Sequence, residues 1–121
     1  MKQAMETINY RENKAWQASV DLAAFVARMA DSFKDNSFKS LATMLVETAV
    51  DLSATIVQCL AVAGEEERKT KLEELTNLSL RLENLLFLAS RLNLLEEKLL
   101  GNSLQVIAEI RRMMKEWNER N

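Results

Sequence analysis

Apolar positions recur at intervals of three and four along most of this chain, a period that predicts helices. The strongest stretch runs from Phe38 to Gly64. Between Ser40 and Gly64 its only ionisable groups, apart from the lone thiol of Cys59, are Glu47 and Asp51. This pattern predicts a central helix over residues 37–63, buried on more than one side, with three other helices around it. Phe38, Leu41, Leu45, Thr48, Leu52, Thr55, Cys59 and Val62 fall on the a and d positions of one heptad frame, the seam of a bundle. At about 100° per residue, Val46, Val50, Val57 and Leu60 lie on the side facing away from that seam, among Thr43 and Ser53. A surface helix of a monomer carries Lys and Glu on such a face. This one does not, so the four residues are candidates for a subunit contact.

The first helix is expected over 9–34, because Asn9 and Glu12 have the spacing of a capping box. Trp16, Leu22, Phe25, Val26, Met29 and Phe33 form its apolar face, opposite Lys14, Asp21, Arg28 and Asp31. The polar cluster Lys34 to Ser37 supplies a turn and a cap for the next helix. Gly64 is expected to end the second helix in the left-handed conformation. Glu65, Glu66 and Glu67 then place negative charge on the positive end of a third helix over 65–92. That helix carries Leu72, Leu75, Leu78, Leu82, Leu85, Leu86 and Ala89 on one face, and Asn93 is its left-handed cap. A fourth helix over 95–119 presents Leu99, Ser103, Val106, Ile110, Met113 and Trp117, with a bend or restart expected at Gly101-Asn102. Short loops make neighbours antiparallel. The expected fold is all-α, an up-down-up-down four-helix bundle forming one domain over 1–121.

Composition reinforces the helical reading. There is no proline and there are two glycines, where a β-protein would need turn residues about every 8–12 positions. With 48% hydrophobic and 28% charged residues, the chain has enough apolar surface for a core. The net charge of −2 gives no global field toward phosphate backbones. The stretch Met1–Glu6 lacks signal-peptide features, and no apolar run is expected to approach the roughly 18–20 residues of a membrane span. A single cysteine cannot form an internal disulfide. The expected setting is cytoplasmic, with no membrane contact.

Chemistry is sparse. With no histidine, a Ser-His-Asp triad, a Cys-His pair, a histidine-ligated metal and the Glu-x-x-His di-iron pattern are all excluded. Glu47 and Asp51, one turn apart, are the one carboxylate pair to weigh for a shared proton or a hard metal ion. The plainer expectation pairs them with Arg28, Arg91 or an arginine of a neighbouring subunit. Cys59 sits on the seam, where a free cysteine is a small buried hydrophobe. Trp16 and Trp117 are expected as anchors near the bundle ends. Arg111, Arg112 and Lys115, with Arg120, form the most basic cluster, which complements a helix C-terminus and is diluted by Glu109, Glu116 and Glu119. No acid, base and nucleophile set can be assembled. The expectation is a non-enzyme without cofactor or metal.

The run Tyr10-Arg11-Glu12-Asn13-Lys14-Ala15-Trp16-Gln17 resembles the opening signature of the small bacterial four-helix-bundle proteins encoded in 23S ribosomal RNA intervening sequences. Ala49 to Ile56 resembles that family's second-helix motif; Leu82-Glu83, Ala89 and Leu92 to Leu95 resemble the end of its third helix. The resemblance spans residues 9–117. It implies an antiparallel bundle that assembles into a ring, a homopentamer, and a relation to the accessory protein of diversity-generating retroelements. A pair of arginines common in the family's second helix aligns with Val46 and Glu47, so the basic pair is absent. The family's Asn-Ile-Ala-Glu-Gly segment becomes Thr55-Ile56-Val57-Gln58-Cys59.

Two functions stand at the level of sequence. The first is a homo-oligomeric scaffold or adaptor, in contact with itself or another protein through Val46, Val50, Val57 and Leu60. The alternative is an accessory protein that holds RNA or DNA through Arg111, Arg112 and Lys115.

Overall fold

Asn13 decides where the first helix begins. Its backbone is extended, and its Oδ1 accepts from the Trp16 N–H at 2.8 Å, so α1 spans Lys14–Asp31. The capping box expected at Asn9 does not form. Asn9 Nδ2 instead donates to the Glu12 side chain at 3.1 Å, and Tyr10–Glu12 makes a separate 3-10 turn. The computed structural model describes residues 9–121; the amino-terminal stretch Met1–Glu6, read above for targeting signals, lies outside the described residues.

After α1, Asp35 Oδ1 accepts from the Ser37 N–H at 2.9 Å and starts a 3-10 turn over Asn36–Phe38. That turn feeds α2, Lys39–Ala61. Val62 ends α2 in extended conformation, and Gly64 is extended too, at φ −78°, as the N-cap of α3, Glu65–Arg91. The left-handed glycine stop expected here is therefore replaced by an extended link. Because α3 starts at once, the Gly64 carbonyl accepts from the Arg68 N–H at 2.9 Å and serves the new helix.

The left-handed cap that does form is at Asn93, φ 63°, the only non-glycine residue with positive φ among the described residues. Leu94 N–H reaches the Ala89 carbonyl at 2.9 Å and Asn93 N–H the Ser90 carbonyl at 3.0 Å. This is the Schellman pattern that satisfies the last carbonyls of a helix. A side chain branched at Cβ fits poorly there, since the left-handed region costs about 1–2 kcal/mol for most residues. Asn93→Gly is expected to leave thermal stability within about 0.5 kcal/mol of the parent, and Asn93→Val to lower it by about 1–2 kcal/mol, read by thermal unfolding.

α4, Glu97–Arg120, runs without a break through Gly101 and Asn102. Gly101 is exposed and meets no neighbour, so nothing there requires a bend. The expected restart at Ser103 is absent.

α2 packs against α1 and α3, and α4 closes the set by packing against both α1 and α3. At one end, Arg68 near the start of α3 donates to Asn118 Oδ1 near the end of α4 at 3.0 Å. Midway along the pair, Arg111 of α4 meets Glu83 of α3 at 2.9 Å. Among the described residues there are four long helices and no strand.

Between Leu41 and Cys59 the seam of α2 lies where the heptad frame puts it, whereas Phe38 and Val62, its expected ends, fall outside the helix and are half-buried. Leu41, Leu45, Thr48, Leu52, Thr55 and Cys59 are buried, joined by Ala49 and Ile56. On α4 the frame is displaced by one residue. Ser103 and Ile110 are buried as expected, but their partners in the core are Leu100, Ile107 and Met114, while Leu99 is 36% exposed. Leu99 and Val106 line a surface groove with Ala18, Leu22 and Phe25 of α1.

By length and composition, Asn36–Ala61 is long and apolar enough to cross a membrane, its most apolar 18 residues having a mean hydropathy of 1.4. This differs from the expectation that no apolar run approaches that length: Glu47 and Asp51 interrupt the stretch, but the apolar residues on either side of them form one helix. Within the chain only 39% of this apolar window is buried.

Candidate functional site

The outward side of α2 is built from residues the seam leaves over. Val50 is 50% exposed and sits between Glu47 and Asp51, which are also exposed, with Met44, Ala54 and Gln58 exposed beside them. Val57 is half-buried, whereas Val46 and Leu60 are half-buried and pack against the core. Of the four residues singled out from periodicity, Val50 is thus the one standing clear of the bundle. The two hydroxyls nearby turn inward to their own helix: Thr43 Oγ1 donates to the Lys39 carbonyl at 3.1 Å, and Ser53 Oγ to the Val50 carbonyl at 2.9 Å. Such back-bonding makes the face less polar than its composition suggests.

Glu47 and Asp51 make no ion pair among the described residues, and neither Arg28 nor Arg91 reaches them within the chain. No three Asp, Glu or Cys side chains converge in a way that could hold a metal ion, among the described residues. The Cys59 side chain is fully buried, and burial pushes its thiol up to about 11, with Lys71 opposing and Glu74 adding to the shift. It is a core hydrophobe and a poor nucleophile at neutral pH.

The basic cluster is largely occupied by its own neighbours. Arg111 Nη1 is 2.9 Å from Glu83 and donates to the buried Ser79 Oγ at 3.0 Å. Arg112 is gripped by two carboxylates: its Nε donates to Glu109 Oε1 at 2.6 Å, its Nη2 also reaches Glu109, and its Nη1 donates to Glu116 at 2.5 Å. Hydrogen bonds from Arg112 hold the Glu109 carboxyl below its usual range, and the same contacts raise the guanidinium. Lys115 is exposed and makes no ion pair among the described residues. Of the three candidate phosphate contacts, only this lysine is free of a carboxylate among the described residues.

Both tryptophans pack against the core at helix termini. Trp16 stands edge-on to Tyr10 with centroids 5.1 Å apart, and Arg68 lies 5.7 Å over the Trp117 ring. The Arg68 guanidinium thereby covers one face of Trp117 that a base would need for stacking.

Sequence periodicity missed an apolar strip on the outer face of α3. Leu80 is 50% exposed, Phe87 47% and Leu88 44%. The signal was present: these three residues fall outside the helical frame of Leu72, Leu75, Leu78, Leu82, Leu85, Leu86 and Ala89 that fills the core side.

Comparison of the chain with protein-family models, with curated proteins and with solved structures finds no match.

Proposed function

We propose that this protein is a non-enzymatic, homo-oligomeric scaffold or adaptor, an up-down-up-down bundle whose α2 lines the contact between subunits in a pentameric ring. The observation that carries the reading is the outward face of α2. From Ser40 to Ala61 it offers no cation, and it presents the half-exposed Val50 between two carboxylates that are unpaired among the described residues, with Met44 exposed beside it. Soluble monomers rarely leave a contiguous apolar surface of more than a few hundred Å² uncovered. The contacts of Arg68 with Asn118 and of Arg111 with Glu83 support the antiparallel course of α3 and α4. The number five comes from the resemblance to the intervening-sequence proteins. A cytoplasmic setting, with no membrane contact, completes the proposal.

Light scattering on a sizing column tests it. A molar mass near five times 13.8 kDa is the expected result. A mass near 13.8 kDa would overturn the reading.

An accessory role on RNA or DNA is the second reading, favoured by Lys115, which is exposed and unpaired among the described residues. Against it stand the carboxylates that engage Arg111 and Arg112. The expected outcome is no measurable binding at about 50 mM salt. Binding that weakens steeply with added salt and falls on Lys115→Ala would establish the second reading in its place.

A further inference from the structure

The outer faces of α2 and α3 are complementary in charge. After Lys39 the only charged residues of α2 are Glu47 and Asp51, and both are unpaired within the described residues. Between Leu80 and Leu92 the charged residues of α3 are Arg81, Glu83 and Arg91. Glu83 is taken by Arg111 at 2.9 Å, so this half of α3 presents guanidinium groups alone. Arg81 and Arg91 are exposed and form no ion pair among the described residues.

Shape follows the same division. Leu80, Phe87 and Arg91 recur at seven and four residues and therefore share one strip of α3, with Leu88 and Arg81 beside it. The strip is bulky. The α2 face opposite in character carries Val50 between its acids, with Ala54 one turn beyond Val50 and Met44 before Glu47. Glu96 and Glu97 lie beyond the Asn93 turn, in the groove that Phe87 and Arg91 share with the start of α4.

We propose that the occupant of the α3 strip is a second copy of this chain. Its α2 face docks there, with Leu80, Phe87 and Leu88 covering Val50, and Arg81 and Arg91 facing Glu47 and Asp51. This rests on the reading of α2 as the subunit contact and names the surface it meets. Two different faces joined head to tail make a heterologous contact, the kind that generates rings when the rotation closes. A symmetric α2–α2 contact would bring four unpaired carboxylates together and stop at a dimer.

The test is complementation of Val50→Glu with Phe87→Glu. Both positions are about half exposed, so neither substitution enters the core. Each variant alone is expected to retain the parent's helical circular dichroism and to fall to about 13.8 kDa by light scattering. Val50→Glu keeps an intact α3 strip and Phe87→Glu an intact α2 face. Mixed at equal concentration, they are expected to form one good contact and a species of about twice 13.8 kDa. Should Phe87→Glu lose helicity, Leu80→Glu on the same strip takes its place. A parent-sized Phe87→Glu beside a monomeric Val50→Glu overturns the α3 assignment and leaves α2 as the contact. Two monomeric variants that stay monomeric when mixed also overturn the pairing. A monomeric parent overturns this inference together with the reading beneath it.

Discussion

Leu52→Ala is expected to cost about 2–5 kcal/mol of stability, a large part of the roughly 5–15 kcal/mol that holds a typical domain folded. Leu52 is fully buried on the seam of α2, the helix that packs against both α1 and α3. Truncation removes the transfer free energy of its methyl groups and leaves a cavity. Collapse around that cavity is restricted, because the residues next on the seam, Thr48 and Thr55, are buried and β-branched, with stiff χ1 angles. The loss should therefore fall in the upper part of the range. Urea unfolding at fixed protein concentration checks it, since assembly would otherwise add a concentration dependence. With slopes of about 1–3 kcal/mol per molar urea, the midpoint should drop by on the order of 1–3 M. Gln105→Ala, exposed on α4, serves as the control and should move stability by less than about 0.5 kcal/mol. Equal effects at the two positions would mean that α2 is not the centre of the core.

The seam of α2 was legible because its sequence permits one frame. Glu47 and Asp51 can only lie outward, and that fixes the register of every Leu between them and the helix ends. On α4 the sequence permits two frames. Leu99-Leu100, Val106-Ile107 and Met113-Met114 are adjacent apolar pairs, and Ser103 with Ile110 serves either member of each pair. Tertiary packing chose the second members, and nothing local could have chosen them. The helix ends divide in the same way. Asn93 succeeded as a left-handed cap because no competing residue stood nearby, whereas Asn9 lost to Asn13, whose side chain reaches the Trp16 N–H. Gly64 misled because a glycine that can turn left-handed need not do so when the next helix begins at once. At the candidate sites, the exposure of Val50 followed from periodicity. The capture of Arg111 by Glu83 did not, because the two are on different helices and the pairing depends on how those helices face each other.

Val50→Glu and Val57→Glu separate assembly from folding. In a lone chain, Val50→Glu adds a third carboxylate beside Glu47 and Asp51 on a solvated face, where surface substitutions move stability by about 0.5 kcal/mol or less. Helicity should survive. In an assembled contact the same group is stripped of water next to two acids of its own helix, and an unpaired buried charge costs several kcal/mol. Each 1.4 kcal/mol is about tenfold in an equilibrium constant, so the subunit affinity should fall at least about a hundredfold. Val57 lies two turns further along α2 and is half-buried, so Val57→Glu should act in the same direction with some added loss of stability. Val50→Ala provides the contrast: it removes apolar contact worth about 1 kcal/mol without adding charge, and it should remain assembled at high concentration. Light scattering and circular dichroism on the same samples distinguish the cases. A drop in mass with unchanged helicity locates the contact on α2, while variants that keep the parent's mass would place it on another face.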